Sequence, residues 1–235
     1  MIIFLQATVE GLSLAAIYSL VAIGFVLIYK AMEVLSFAQP ALAVVGAGII
    51  SSLAIDRGIP FWLALFLGVI LTGILGLLIE RTFLRPMVGE PVFSVAVLTI
   101  GIDILLRTVL DSWIGINPKY MGDPFPSYGN FGAVKLGGVN IKYLELAALV
   151  TAILLIILLT IFFRKSKYGI AMRATSYDQE AAMAQGINVG RIFGLVWMIA
   201  GILAAFAGFF ITGGFNTLSQ ISFISALRAL TAVVI

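Results

Sequence analysis

Runs of about twenty apolar residues recur along this chain, and they restrict its possible folds more than any other feature. A helix rises about 1.5 Å per residue, so such a run can cross the roughly 30 Å hydrocarbon core of a bilayer. Lipid offers the backbone no hydrogen-bond partner, so a spanning segment must be a helix or part of a closed barrel. The runs are continuous rather than alternating, and 62% of the 235 residues are hydrophobic while 11% are charged. The sequence therefore predicts an all-α, polytopic membrane protein.

Polar clusters divide the chain into spans of a single transmembrane domain, 1–235. The predicted spans are 11–29, 35–55, 61–79, 92–110, 143–163 and 192–211, with a partial span from 223. The longest polar segments are an outer loop, 111–142, and a basic loop, 164–191. The final apolar run has about 13 residues and would reach only some 20 Å as a helix. We therefore expect the sequence to be truncated at its C-terminus.

Two local patterns predict specific packing. The segment AVKLGGVNIK alternates about Gly137 and Gly138, which predicts a small β-hairpin. In the sixth span, Gly194, Gly201 and Gly208 are seven residues apart and share one helix face. Since small residues let helices approach closely in a membrane, this face is predicted to pack against a neighbour.

The second apolar segment begins unusually, with LSFAQPALAVVGAG. Ser36 and Gln39 lie one turn apart, and Pro40 has no N–H with which to continue a helical ladder. We predict a broken or re-entrant helix near Ser36–Pro40, which persists at membrane depth only where protein or a water-filled cavity surrounds it. Ser36 and Gln39 either line a translocation pathway or satisfy backbone groups that Pro40 frees. The sequence leaves both interpretations open.

Basic residues are unevenly distributed between the predicted loops. With the N-terminus outside, the inner loops carry eight Lys and Arg residues and the outer loops carry four. The inner set is Lys30, Arg81, Arg85, Arg164, Lys165, Lys167, Arg173 and Arg191, and the outer set is Arg57, Lys119, Lys135 and Lys142. Because basic loops are retained in the cytoplasm, we predict a multi-pass protein of the inner (plasma) membrane with its N-terminus outside.

The basic loop carries the signals of a short helix. Ser176 and Gln179 form an S-x-x-Q capping box, so the helix is predicted to begin at Tyr177. Asp178 and Glu180 would then lie in its first turn, where the helix dipole favours negative charge.

Gly186 is the predicted end of this helix. About nine residues bury too little surface to be stable alone, so the helix needs a partner surface. Either a cytoplasmic motor protein docks on it, taking the small residues Ala181 and Ala182 into a groove, or the loop lies on anionic lipid headgroups.

The motif in this loop also carries a family resemblance. The run from Tyr168 to Arg191, YGIAMRATSYDQEAAMAQGINVGR, closely resembles the coupling loop of ABC importer permeases, and more narrowly the branched-chain amino acid permease family of the LivH/LivM type. The family's pattern of G-x-A-x-R-A, D-x-E-A-A and G-I is matched by Gly169, Ala171, Arg173, Ala174, Asp178, Glu180, Ala181, Ala182, Gly186 and Ile187. The run from Gly11 to Gln39 resembles the family's first span and N-F-A-Q segment, with Ser36 where Asn is usual. The resemblance covers nearly the whole chain.

The resemblance implies a permease bundle that works within a larger assembly. Its partners would be a second permease subunit, two cytoplasmic ATP-binding subunits, an extracytoplasmic substrate-binding protein and membrane lipid. The ATP-binding subunits would use ATP and Mg, and this chain would hold no cofactor. The residues implied to couple to the ATPase are Gly169, Arg173, Ala174, Asp178, Glu180, Ala181, Ala182 and Gly186. The implied substrate is a branched-chain amino acid, with another amino acid, an amide or urea as alternatives.

The chain departs from the family's pattern at Pro40, where Gly is usual, and at Asp103 and Arg107, where uncharged polar residues are expected. Asp103 and Arg107 are four residues apart in the fourth span, so they can pair along one helix face. Charges at membrane depth are costly and are expected to face the bundle interior. They either line the pathway, meeting the ammonium and carboxylate of an amino acid, or form a structural ion pair, which we favour.

Other functions find less support in the sequence. The chain has no Cys, no His and no G-x-x-x-x-G-K-[ST] phosphate loop, so we expect no catalytic residue, no metal site and no enzyme activity of its own. We also expect no nucleic-acid partner. The main alternative is a self-sufficient ion-coupled secondary transporter or channel, for which Asp103 is the one well-placed carboxylate.

Overall fold

The structure is a computed structural model that describes residues 2–87, 90–115, 119–120, 133–136, 139–215, 217–218 and 226–227. Helices dominate these ranges. In chain order the longer ones are α1 (Ile2–Met32), α2 (Gln39–Ser51), α3 (Phe61–Ile79), α4 (Val92–Ile114), α5 (Tyr143–Lys165), α6 (Lys167–Tyr177), α7 (Gln179–Ala184) and α8 (Val189–Phe215). The π-helical turns Ser52–Asp56 and Glu80–Leu84 continue α2 and α3, and a 3₁₀ turn, Arg85–Met87, follows.

Six of the described helical segments are long and apolar enough to cross a membrane. They are α1, α2 with its π turn, α3 with its π and 3₁₀ turns, α4, α5 and α8. The all-α, polytopic fold class is thereby confirmed, and the chain is an integral membrane protein.

The first helix begins earlier than the predicted 11–29. It starts at Ile2 and includes Gln6 and Glu10, which lie one turn apart and are joined by a hydrogen bond of 3.0 Å. Gln6 also exchanges two hydrogen bonds, of 3.0 and 2.9 Å, with the backbone of Asn140. Two polar residues on one exposed face therefore prolong the helix instead of ending it.

The bundle is organised around α8, which packs against α1, α2 and α3. The predicted glycine face makes these contacts. A side chain at Gly201 would lie 2.6 Å from the Thr72 carbonyl oxygen of α3, and one at Gly208 would meet the carbonyl oxygen of Ala43 in α2. Backbones approach closely here because no Cβ separates them.

Four short strands accompany the helices in the described ranges: β1 (Lys119–Tyr120), β2 (Ala133–Leu136), β3 (Val139–Lys142) and β4 (Thr217–Leu218). The antiparallel pairing of β2 with β3 confirms the predicted hairpin, and β1 pairs with β4. Most of the predicted outer loop, 111–142, and of the predicted partial span from 223 falls outside the described residues.

The helix ends gather at two opposite ends of the bundle. Gln6 of α1 meets Asn140 at one end, whereas Lys30 of α1 lines a cavity with Phe163 of α5 and Arg173 of α6 at the other. We call this second end the basic end. It carries the eight residues of the predicted inner set, Lys30, Arg81, Arg85, Arg164, Lys165, Lys167, Arg173 and Arg191.

Candidate functional site: the coupling segment and the buried polar residues

Two consecutive helices, α6 and α7, form the segment in which one helix was predicted. Ser166 caps α6, since its hydroxyl accepts a hydrogen bond of 2.9 Å from the Gly169 N–H. Asp178 has an extended backbone between the helices, and its carboxylate accepts the Ala181 N–H at 2.9 Å, which makes it the cap of α7. We call 166–187 the coupling segment.

The prediction of a capping box at Ser176 and Gln179 is therefore wrong. Ser176 lies in the last turn of α6, and its hydroxyl donates to the Arg173 carbonyl at 3.0 Å. The earlier cap at Ser166 starts a helix that already includes Tyr177, so Ser176 lies inside α6 and does not precede a helix. Asp178 follows at the break and offers a charged acceptor, which binds an N–H more strongly than a hydroxyl does.

The predicted end of the helix at Gly186 matches the structure. Gly186 has φ +81°, a left-handed conformation that glycine adopts without strain. Its N–H binds the Met183 carbonyl at 2.9 Å, and the Ile187 N–H binds the Ala182 carbonyl at 3.0 Å. These two bonds form a Schellman motif that fixes the direction in which the chain leaves α7.

The residues implied to couple divide into a buried and an exposed group. Gly169 is buried where a side chain would lie 2.6 Å from the Phe162 carbonyl oxygen, and Ala182 is only 3% exposed. These two residues join the segment to its own bundle. The remaining ones are accessible or partly so: Arg173, Ala174, Asp178, Glu180, Ala181 and Gly186. Ala182, although buried, still contributes to the lining of the groove between α6 and α7, so its role in docking stays a prediction.

A groove runs between α6 and α7 on the exposed side of the segment. It has a volume of about 540 Å³ and an almost entirely apolar lining. Its lining includes Ile170, Ala174, Tyr177, Ala181 and Ile187. Tyr177 stands at its edge with 95% of its surface exposed. We call this the coupling groove.

A buried ion pair that was not predicted from the sequence joins the end of α3 to the start of α8 at the basic end. Glu80 is fully buried at the end of α3, and Arg85 donates to its two oxygens at 3.2 and 3.0 Å. Arg85 also donates to the Gly190 carbonyl at 2.8 Å, in the first turn of α8. The pair therefore anchors the start of α8, directly after the coupling segment, to the end of α3.

The spacing of this pair was the overlooked signal. Glu80 and Arg85 are five residues apart, which suits a π turn and not the three- or four-residue spacing of an α-helix. Both residues lie just beyond the predicted span 61–79.

The break near Ser36–Pro40 is present between α1 and α2. The chain leaves the helix at Met32 and resumes it at Gln39, whose side-chain amide donates to the Ala200 carbonyl of α8 at 3.0 Å. Gly24 of α1 leaves the space for this amide. Since Ala200 lies near the middle of α8, α2 begins inside the bundle and not at its end.

Pro40 frees no backbone group, because it occupies the first turn of α2, where an N–H has no helical partner. The interpretation that Ser36 and Gln39 satisfy groups freed by Pro40 is therefore wrong. Both residues are fully buried, and the Ser36 hydroxyl and the Gln39 side-chain carbonyl have no hydrogen-bond partner within the described part of the chain. Nearby, the Phe37 N–H donates to the Thr99 hydroxyl of α4 at 3.1 Å.

Asp103 and Arg107 form the expected ion pair along one face of α4. The Asp103 side chain is 7% exposed and that of Arg107 is 43% exposed, so the carboxylate faces the bundle while the guanidinium reaches its surface. Asp103 follows Thr99 by one helical turn. Thr99, Asp103 and Arg107 therefore form a polar row along α4. The row starts beside the break before α2 and runs towards the end of the bundle opposite the coupling segment.

Comparison with known proteins places these features in a wider context. Residues 7–235 match the sequence family described as branched-chain amino acid transport system / permease component. The chain is 28% identical over 241 residues to the high-affinity branched-chain amino acid transport system permease protein BraD of Pseudomonas aeruginosa, a match that covers 99% of this chain and 78% of that protein. The corresponding protein LivH of Escherichia coli is 26% identical with the same coverage.

A third relative matches a shorter part of the chain. The probable branched-chain amino acid transport permease protein LivH of Methanocaldococcus jannaschii is 30% identical over 200 residues, which cover 83% of this chain and 63% of that protein. No solved structure matches the chain.

Proposed function

This chain belongs to the branched-chain amino acid transport permease family, and we propose that it is a membrane-spanning subunit of an ABC importer for branched-chain amino acids. The observation that carries the proposal is the family match over residues 7–235. The exposed and largely apolar groove between α6 and α7 at the basic end of the bundle supports it as well, because such a surface suits a protein partner.

The proposed assembly contains the partners that the resemblance implies. Two cytoplasmic ATP-binding subunits dock on the coupling segments of two permease subunits, and an extracytoplasmic binding protein delivers the substrate on the opposite side. The basic end of the bundle lies on the cytoplasmic side of the inner membrane, because loops rich in Lys and Arg are retained on that side. The N-terminus then lies outside. ATP and Mg belong to the ATP-binding subunits. The permease itself makes and breaks no covalent bond.

Transport in this proposal is a change of shape that ATP drives. Closure of the ATP-binding subunits moves the coupling groove, and the Glu80–Arg85 pair passes this displacement to α3 and the start of α8. The bundle then alternates between outward and inward openings, with the substrate bound differently in each. Gly169 and Ala182 hold the segment against the bundle, while Arg173, Asp178 and Glu180 meet the partner.

The proposed pathway passes the polar residues at the start of α2 and on α4. Ser36 and Gln39 carry side-chain oxygens without a hydrogen-bond partner among the described residues, and these can accept hydrogen bonds from a substrate ammonium. Asp103 and Arg107 lie further along the same side of α4. Buried polar groups without partners are costly, so their presence here favours a role in binding over one in packing.

A docking experiment tests the proposal. Glu180→Lys reverses an exposed charge beside the coupling groove, whereas Glu90→Lys makes the same change elsewhere at the basic end. We expect co-purification of the ATP-binding subunit to weaken about tenfold for Glu180→Lys and to stay unchanged for Glu90→Lys. Wild-type retention of the ATPase by Glu180→Lys would contradict docking at this segment.

Uptake by proteoliposomes separates the proposal from its alternative. The reconstituted assembly with its binding protein is expected to import leucine, isoleucine or valine only when ATP is present. The ATP must be on the side of the vesicle membrane that corresponds to the cytoplasm. Uptake by this chain alone, driven by an ion gradient without ATP, would favour a secondary transporter. Import of another amino acid, an amide or urea in place of leucine would correct the substrate and leave the ABC mechanism intact.

A further inference from the structure

A second cavity lies at the basic end, beside the coupling groove but on the bundle side of α6. It has a volume of about 230 Å³. Its walls come from four helices, α1, α5, α6 and α8, and include Val26, Leu27, Lys30, Phe163, Arg173 and Val196. We call it the basic cavity.

The charge of this cavity is positive and uncompensated. Lys30 and Arg173 both line it, and neither has an ion-pair partner within the described ranges. The Ser176 hydroxyl, which also lines it, already donates to the Arg173 carbonyl. Two cations without a counter-ion favour an anionic occupant.

The walls indicate what kind of anion it is. Most of the lining area is apolar and belongs to membrane-spanning helices, at the level where α1 and α5 end. A cavity of this volume is several times the roughly 30 Å³ share of one water molecule, which is room for a phosphate group and the carbons attached to it. Basic pockets between helix ends on the cytoplasmic side suit the headgroups of anionic lipids.

We propose that the basic cavity binds the phosphate of an anionic phospholipid, with Lys30 and Arg173 as its two cationic ligands and the first acyl carbons along Leu27 and Phe163. Arg173 lines the coupling groove as well as the basic cavity. A bound lipid therefore fixes the Arg173 side chain, which separates the basic cavity from the coupling groove. In this way the membrane helps to orient the coupling segment. The inference depends on the membrane location of the chain and not on its transport function.

Lipid binding by the full chain in detergent tests this inference through native mass spectrometry. Phosphatidylglycerol is expected to bind more tightly than phosphatidylcholine. Lys30→Gln and Arg173→Gln should each weaken phosphatidylglycerol binding about fivefold, and Lys30→Arg should restore it. The matched control is Lys167→Gln, which removes an exposed positive charge from the same segment outside the cavity.

Four results would overturn the proposal. An equal loss in Lys167→Gln would mean that general surface charge attracts the lipid, and equal affinity for phosphatidylcholine would mean that the cavity does not recognise charge. Competition by glycerol 3-phosphate at the same concentration as the lipid would identify a soluble phosphate as the ligand. Unchanged lipid binding in Lys30→Gln, together with loss of the ATP-binding subunit, would assign the cavity to a protein partner.

Discussion

The helices α2 and α5 are both apolar, yet α2 is largely buried in the bundle and α5 is largely exposed at its surface. The most apolar window of α5 has a mean hydropathy of 3.0 and is 11% buried, whereas that of α2 with its π turn has a mean hydropathy of 1.4 and is 72% buried. The more hydrophobic helix is therefore the less buried one. In water the opposite order is expected, because burial of apolar surface drives folding there.

The lipid explains this reversal. Lipid chains are as apolar as leucine, so α5, rich in Leu and Ile, gains little by leaving them. The α2 sequence offers small residues instead, such as Gly46, whose missing side chain lets the backbone of Ala205 in α8 approach. Close backbone contact, and not hydrophobicity, accounts for the difference in burial between these two helices.

The strongest test of this comparison adds a side chain at the α2–α8 contact. Gly208→Leu would place atoms where the Ala43 carbonyl already lies, so we expect a loss of about 3 kcal/mol in the free energy of unfolding. Unfolding in mixed detergent micelles measures it. Gly101→Leu is the control, because nothing lies within 4 Å of a side chain added at that position in α4. Equal losses for the two variants would show that close packing of α2 is not what stabilises the bundle.

A smaller effect is expected from removing the same side chain in the two helices. Leu42 of α2 is fully buried, and Leu42→Ala should cost about 2 kcal/mol because its packing contacts are lost. Leu154 of α5 is 52% exposed, and Leu154→Ala should change the free energy of unfolding by less than about 0.5 kcal/mol. The same unfolding measurement compares them. A larger cost at Leu154 would mean that α5, and not α2, belongs to the stabilising core.

The smallest of the three effects concerns a charged contact at the basic end. Arg85→Ala leaves the buried Glu80 carboxylate without its partner. We expect the free energy of unfolding to fall by about 1.5 kcal/mol. This value lies between those for exposed and for fully buried ion pairs, because the Arg85 side chain is 39% exposed while that of Glu80 is buried. Thermal unfolding of the purified chain reports it. The matched variant Arg81→Ala removes an exposed arginine from the preceding π turn, Glu80–Leu84, and should be neutral. A neutral Arg85→Ala would show that α3 and α8 are held by their apolar contacts alone.

The candidate site was predictable where its geometry is local. The pairing of Asp103 with Arg107 follows from a spacing of four residues, and the end of α7 at Gly186 follows from the conformational freedom of glycine. The cap of α7 was not predictable in the same way. Ser176 and Asp178 both satisfy a sequence rule for caps, and the choice between them depended on the start of α6 ten residues earlier.

The sequence by itself determined the number and the type of the described spans, because a bilayer fixes the length and polarity that a spanning helix must have. It also identified the loop whose motif resembles the coupling loop of ABC importer permeases. Only the tertiary structure decided that α2 begins inside the bundle, that Glu80 and Arg85 join α3 to α8, and that Arg173 lies between the coupling groove and the basic cavity. These features depend on which helices are neighbours, and in lipid that choice is made by backbone fit and polar pairing between distant segments, which the hydropathy of one segment does not encode.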